Sequence, residues 1–135
     1  MERPTSVAIV DRADVERARR VARQLAIVSG FGASGLECIA IAVSELGSNL
    51  MRYADGGRIS SRVIEGNRGT GIEIESTDRG PGIPDVELAL RDGYSSGKGL
   101  GGGLPGIVRL MDEFEIDSTP AGTRITVRKW LTTRS

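Results

Sequence analysis

Apolar residues at helical spacing fill the first half of the chain and period-two alternation marks much of the second, so the sequence predicts an α/β fold, a two-layer sandwich of helices on a sheet. The longer predicted helix carries one apolar stripe, and a single stripe calls for a single sheet to cover it. At 135 residues the chain fits one domain, 1–135, large enough to bury a core without disulfide staples.

Ser6 to Val10 forms the first expected strand. Asp14 to Val28 forms the first helix, with Val15, Ala18, Val21, Ala22, Leu25 and Val28 at helical spacing and Asp11 or Asp14 as its cap. Gly30-Phe31-Gly32 breaks that pattern, and a second helix from about Ser34 to Tyr53 aligns Leu36, Ile39, Val43, Leu46 and Leu50 toward the sheet. Gly47 within it costs about 1 kcal/mol relative to alanine, which implies that another element packs close there. Arg58 to Ile64 and Gly71 to Thr77 alternate as strands about the turn from Glu65 to Gly69, a hairpin. A short helical piece near Asp85 to Arg91 leads into a glycine-dense segment, Gly97 to Gly106, then a helix from about Leu104 to Met111 and strands at Glu113 to Ser118 and Thr123 to Trp130. There is no internal repeat or low-complexity linker.

Lys plus Arg and Asp plus Glu number 18 each, so no net charge recruits nucleic acid or an anionic membrane, although local basic patches remain open. The lone Cys38 excludes an internal disulfide or a cysteine zinc site and fits a small core residue in a reducing cytosol. With no histidine, the chain has no Ser-His-Asp or Cys-His unit, no histidine metal ligand and no phosphohistidine. Aromatic content of 4% provides no stacking platform for single strands, and no segment reaches the roughly 20 apolar residues of a membrane span. A cytoplasmic protein acting through carboxylates, lysine or tyrosine is expected.

Glu45 and Asn49 are i,i+4 neighbours at the border of the apolar stripe. A carboxylate there can take a proton from a nucleophile, and an amide oxygen one turn on can ligate a hard cation; the same pair also suits an ordinary exposed helix face. Asp78-Arg79-Gly80-Pro81-Gly82 ends a strand with an acceptor followed by two glycines that let backbone approach a ligand. Gly97-Lys98-Gly99-Leu100-Gly101-Gly102-Gly103-Leu104-Pro105-Gly106 runs into a helix start, where backbone N–H groups and the helix dipole suit an anion. The same stretch also suits a flexible surface loop. It is not a Walker A loop, which would need glycine at Asp92 and Ser or Thr at Gly99. Its G-x-G-x-x-G match from Gly101 to Gly106 follows no clear strand and comes late in the chain, against a dinucleotide fold.

Glu45-Leu46-x-x-Asn49, Asp78-x-Gly80-x-Gly82, Gly99-x-Gly101-x-Gly103 and Gly122-Thr123 occur in the order of the GHKL ATPase and kinase superfamily. Within it the chain resembles the RsbT-type serine/threonine switch kinases of bacterial stress signalling, through Asp78 to Asp85, Gly101 to Gly106 and Arg109 to Phe114. Leu104-Pro105-Gly106 and Tyr53-Ala54 favour that subgroup over anti-sigma kinases. Gly47-Ser48 and Lys98 depart from its pattern. The resemblance implies a Bergerat-type sandwich with helices on one face of a mixed, mainly antiparallel sheet, and ATP with Mg²⁺ as cofactors. It implies Asn49 on Mg²⁺, Glu45 as general base, Asp78 on the adenine amino group with Gly80 and Gly82 beside the base, and a phosphate lid of Gly99, Leu100, Gly101, Gly102, Gly103 and Leu104. Lys98 joins that lid as a point charge or remains solvated, and Thr123 supports the adenine end or serves only as a strand residue. Implied partners are STAS-domain antagonist and co-antagonist proteins of the RsbS and RsbR kind and a downstream regulator such as a PP2C-type phosphatase, with no nucleic acid and no membrane. The alternatives are an anti-sigma factor that sequesters its sigma factor, or a nucleotide-dependent interaction module with little turnover.

Overall fold

The computed structural model describes residues 3–83, 86, 90 and 103–131. The elements run β1 (Thr5–Ile9), α1 (Arg12–Ser29), α2 (Ala33–Tyr53), β2 (Gly57–Gly66), β3 (Gly69–Thr77), α3 (Gly103–Leu110), β4 (Glu113–Thr119) and β5 (Gly122–Trp130). Asp11 and Asp14 both cap α1. The Asp11 carboxylate accepts from the Asp14 amide at 3.1 Å, and the Asp14 carboxylate accepts from the amides of Asp11 and Val10, a reciprocal box that satisfies first-turn donors. Gly30 ends α1 in the left-handed region (φ +104°), its N–H bonded to the carbonyls of Ala26 and Ile27, and so turns the chain back into α2.

The strands form one sheet in the order β1-β2-β3-β5-β4. All four pairings are antiparallel, so the two-layer class holds while the described strands contain no parallel pair of the expected mixed sheet. Ile59, Ile72, Ile74, Ile125 and Val127 point from the sheet toward Val15, Ala18, Ala22 and Ala26 of α1 and Ile39, Val43, Leu46 and Leu50 of α2, and together they make the core. Val28, expected on the buried stripe, is 75% exposed, because the buried line of α1 follows its small residues instead. Gly47 is explained by packing: a Cβ there would lie 2.6 Å from Val15 Cγ1, so the glycine lets α1 and α2 approach.

The other face of the sheet carries a charge lattice. Glu73 accepts from Arg62 Nε at 2.7 Å and from Arg128 Nε at 2.8 Å, and Arg128 also reaches Glu113 at 2.9 Å. Partial burial raises the Glu73 carboxyl, but hydrogen bonds from Arg62 and Arg128 outweigh that and hold it below its ordinary value. Glu113 is likewise lowered, first by the Trp130 indole N–H and then by Arg128. Among the described residues no helix is long and apolar enough to cross a membrane. The expected helical piece at 85–91 lies outside the described residues except at Val86 and Leu90, where the Leu90 amide donates to the Val86 carbonyl at 3.0 Å.

Candidate active site

The last turns of α2 share a slot with Ser76 of β3 and Thr123 of β5, and the spacing of four brings Glu45 and Asn49 onto one face. The pair is not an exposed helix face: Glu45 is only 5% exposed, and Asn49 is half-buried. Asn49 Nδ2 is enclosed and has no hydrogen-bond partner. A buried donor left unsatisfied costs about 1–3 kcal/mol, a cost that an acceptor bound beside it would remove.

Asn49 lines a narrow slot with Ser76, Asp78 and Thr123 as its other polar groups, Leu50, Ile83 and Ile125 as apolar walls, and Tyr53 and Gly82 at its edge. Asp78 is held rigidly. Its Oδ1 accepts from the Gly80 amide at 2.8 Å and the Thr123 amide at 3.3 Å, and its own N–H donates to the Thr123 carbonyl at 3.0 Å. Both of these side-chain bonds fall on Oδ1. Thr123 is buried, and its Oγ1 lies 2.7 Å from Ser118 Oγ, which in turn accepts from the Ile83 amide at 2.7 Å. The slot presents a carboxylate, two hydroxyls and an amide between apolar walls, but at about 20 Å³ it has room for little more than a water, so its polar chemistry and not its size resembles that of a site for a heterocycle with an exocyclic amine.

The turn glycines are demanded by the protein's own packing. Gly82 sits at φ +85°, and a Cβ on it would meet the Thr119 carbonyl oxygen at 2.2 Å; one on Gly80 would lie 2.8 Å from Ala54 Cβ. These contacts lock the Asp78 turn between the end of α2 and the β4–β5 hairpin. Of the glycine-dense segment, Lys98, Gly99, Leu100, Gly101 and Gly102 lie outside the described residues. Gly103 opens α3 at φ +73°, and Leu104 turns its side chain into the core.

A divalent cation fits the amide of Asn49, which offers an oxygen to a hard ion and an N–H to an anion beside it. Among the described residues no group of three or more carboxylate, cysteine or histidine ligands converges. Such an ion would thus draw its remaining ligands from phosphates and water. Sequence reasoning missed Ser118, Ile83 and Ser76. Ser118 was readable by closing the β4–β5 hairpin, since that register sets it opposite Thr123.

Glu45 also borders a groove of about 660 Å³ between α1 and α2, edged by Arg12, Arg19, Arg20, Arg23 and Arg52.

The model of the histidine kinase-like ATPase domain family matches residues 10–129. The chain is 40% identical over 132 residues to the serine/threonine-protein kinase RsbT of Bacillus subtilis, covering 97% of this chain and 99% of that one. Its fold is similar to the RsbU and RsbW domains of a Mycobacterium tuberculosis protein, at a TM-score of 0.66 and 18% identity over 96% of this chain and 33% of that one. It is similar also to the mycobacterial sensor histidine kinase MprB, at a TM-score of 0.55 and 22% identity over 96% of this chain and 100% of that one.

Proposed function

The chain belongs to the histidine kinase-like ATPase family and, within it, to the RsbT-type serine/threonine kinases, and we propose that it transfers phosphate from ATP to a serine or threonine of a STAS-domain antagonist in a stress-signalling partner-switching module. The observation that carries this reading is the position of α2 between two openings. Asn49 lines the slot that Asp78 holds, and Glu45, one turn earlier, borders the groove. Neighbours at that spacing lie about 5–6 Å apart at Cβ, so a phosphate end at Asn49 and a protein hydroxyl at Glu45 meet across a single helical turn.

In this reading Asp78 Oδ2 accepts from the adenine amino group, and the Thr123–Ser118 pair supports the same end of the base. Gly80 and Gly82 carry backbone past the base. Asn49 Nδ2 donates to a phosphate oxygen while its oxygen faces the cation. Asn49 would hold Mg²⁺, which would supply neutralising charge at the phosphates. Glu45 takes the acceptor's hydroxyl proton, and its burial protects that proton transfer from bulk water. The segment from Lys98 to Leu104 supplies N–H groups to the transferred phosphoryl group, with Lys98 as a point charge. Phosphoryl transfer needs chiefly positioning and charge stabilisation, which these groups supply. Partners in the module are a co-antagonist STAS protein and, after release, a downstream regulator such as a PP2C-type phosphatase, in a cytoplasmic setting.

The test is to mix the chain with Mg-ATP and a STAS-domain antagonist, and separately with a sigma factor. Phosphoserine or phosphothreonine on the STAS protein is the expected result. Stable capture of the sigma factor without transfer, or nucleotide-dependent binding with no phosphate moved, overturns it.

A further inference from the structure

The groove between α1 and α2 has a charge pattern that nucleotide chemistry does not use. Arg12, Arg19, Arg20 and Arg23 project from α1 at spacings of seven, one and three, which keeps them along one side of the helix. Across the groove α2 contributes Glu37, Glu45 and Arg52, so five guanidinium groups face two carboxylates. The three-residue link between the helices makes them antiparallel, and the contact of Val15 with Gly47 fixes their register, setting Arg12 near Arg52 and Arg23 near Glu37. Arg19 is partly neutralised by Glu16 one turn back. Among the described residues Arg12, Arg20 and Arg23 form no ion pair, and Arg52 stacks over Tyr53 with its charge unmatched. Five arginines against two carboxylates beside an open groove leave an excess of positive charge, and an anionic occupant relieves the resulting repulsion.

We propose that this groove docks an acidic segment of the phospho-acceptor protein and delivers its hydroxyl to Glu45. The proposal rests on the kinase reading for the role of Glu45 and on charge complementarity for the occupant. From Arg12 to Arg23 the α1 wall spans about 16 Å, the reach of roughly five residues of extended chain. Ser44 and Ser48 line the α2 side of the groove as small polar positions next to Glu45. Guanidinium groups suit carboxylates because they donate two parallel N–H bonds at once, and a row of them sets the direction and register of an extended acidic chain. The acceptor site is thereby selected by charge at a distance from the nucleotide slot.

Two labelled peptides of equal length test this, one with aspartate and glutamate around a single serine and one with lysine in place of every acid. Their binding to the full chain is read by fluorescence polarisation, alongside binding of a fluorescent ATP analogue and phosphate incorporation into the peptide serine. The acidic peptide is expected to bind about tenfold or more tightly than the basic one, and to weaken steeply between low and high salt. Arg20→Glu with Arg23→Glu should lower acidic-peptide affinity about tenfold or more, reverse the preference toward the basic peptide, and leave nucleotide affinity unchanged. Equal binding of both peptides, indifference to the double substitution, or tighter binding to anionic phospholipid vesicles or to a short DNA duplex overturns the docking proposal. Acidic-peptide binding that follows the arginines without any phosphate reaching serine overturns instead the delivery of a hydroxyl to Glu45, while the acidic docking surface stands; the kinase reading itself fails only if a STAS-domain antagonist also receives no phosphate.

Discussion

On the outer face of the sheet Glu73 sits between Arg62 and Arg128, and Glu113 takes Arg128, Arg68 and the Trp130 indole. On the helical layer the same residue types are arranged without that closure: Arg12, Arg20 and Arg23 edge a groove with no ion pair among the described residues, and Asn49 Nδ2 is enclosed with no acceptor. The first region satisfies its polar groups across strand register, since Glu73 stands directly opposite Arg62 and Arg128 on the neighbouring strands. The second leaves polar groups incomplete around one turn of α2. Closed polar networks hold a fold together, and incomplete ones at a concave surface await a ligand. Substitutions in the two regions should accordingly separate stability from activity.

The sharpest separation is expected at Asn49. Asn49→Ala should reduce phosphoryl transfer on the order of 1,000-fold, because it removes a positioned group at the transferring phosphate, yet leave the thermal midpoint unchanged or raised, because it removes an unsatisfied buried donor. A midpoint that falls together with activity would blur the contrast. Glu45→Ala should slow transfer about 100-fold while nucleotide affinity stays within about threefold, as befits a proton acceptor that does not hold the nucleotide. Equal loss of affinity and rate would assign Glu45 to binding. Asp78→Asn keeps the Oδ1 acceptor for the Gly80 and Thr123 amides but turns the other oxygen into a donor, so discrimination between ATP and GTP should drop about tenfold with little change in stability.

The smallest effect belongs to the sheet face. Glu73→Gln should cost about 1–2 kcal/mol of stability in urea unfolding, since it weakens two charge-assisted bonds, and leave transfer unchanged. Its pH dependence has a definite sign. The folded carboxyl titrates below its ordinary value of 4.5, so its contribution is complete above that value and is lost as the pH falls through the lower folded value. The stability gap between the wild-type chain and Glu73→Gln should therefore narrow on acidification below 4.5, and a gap that widens would refute the pairing as a source of stability.

Much of this was legible in the sequence, for identifiable reasons. The helices and strands followed from periodicity, and Gly47 announced a close contact that Val15 supplies. Motif order placed Glu45, Asn49, Asp78 and Thr123 in the candidate site, and the structure gathers Asn49, Asp78 and Thr123 at one slot with Glu45 a turn away. Val28 was misplaced because helical spacing alone does not say which of two adjacent apolar lines is buried; the alanines of α1 won because they permit closer approach to α2 and the sheet. The Ser118–Thr123 pair needed hairpin register, which a linear pattern of alternating residues does not fix. The arginines of α1 fall under the local basic patches that the even charge balance left open, and their meaning depended on what faces them across the helix pair. Zero net charge concealed a groove in which five guanidinium groups meet two carboxylates.

The most direct test of the division between a stabilising sheet face and a working helical edge is a single-turnover assay of phosphate transfer from Mg-ATP to a STAS-domain antagonist, read by mass spectrometry of the acceptor peptide. The wild-type chain and Glu73→Gln should place phosphate on one serine or threonine at matching rates, while Asn49→Ala places none within the same time. Transfer by Asn49→Ala at the wild-type rate, or loss of transfer in a folded Glu73→Gln, would contradict the account.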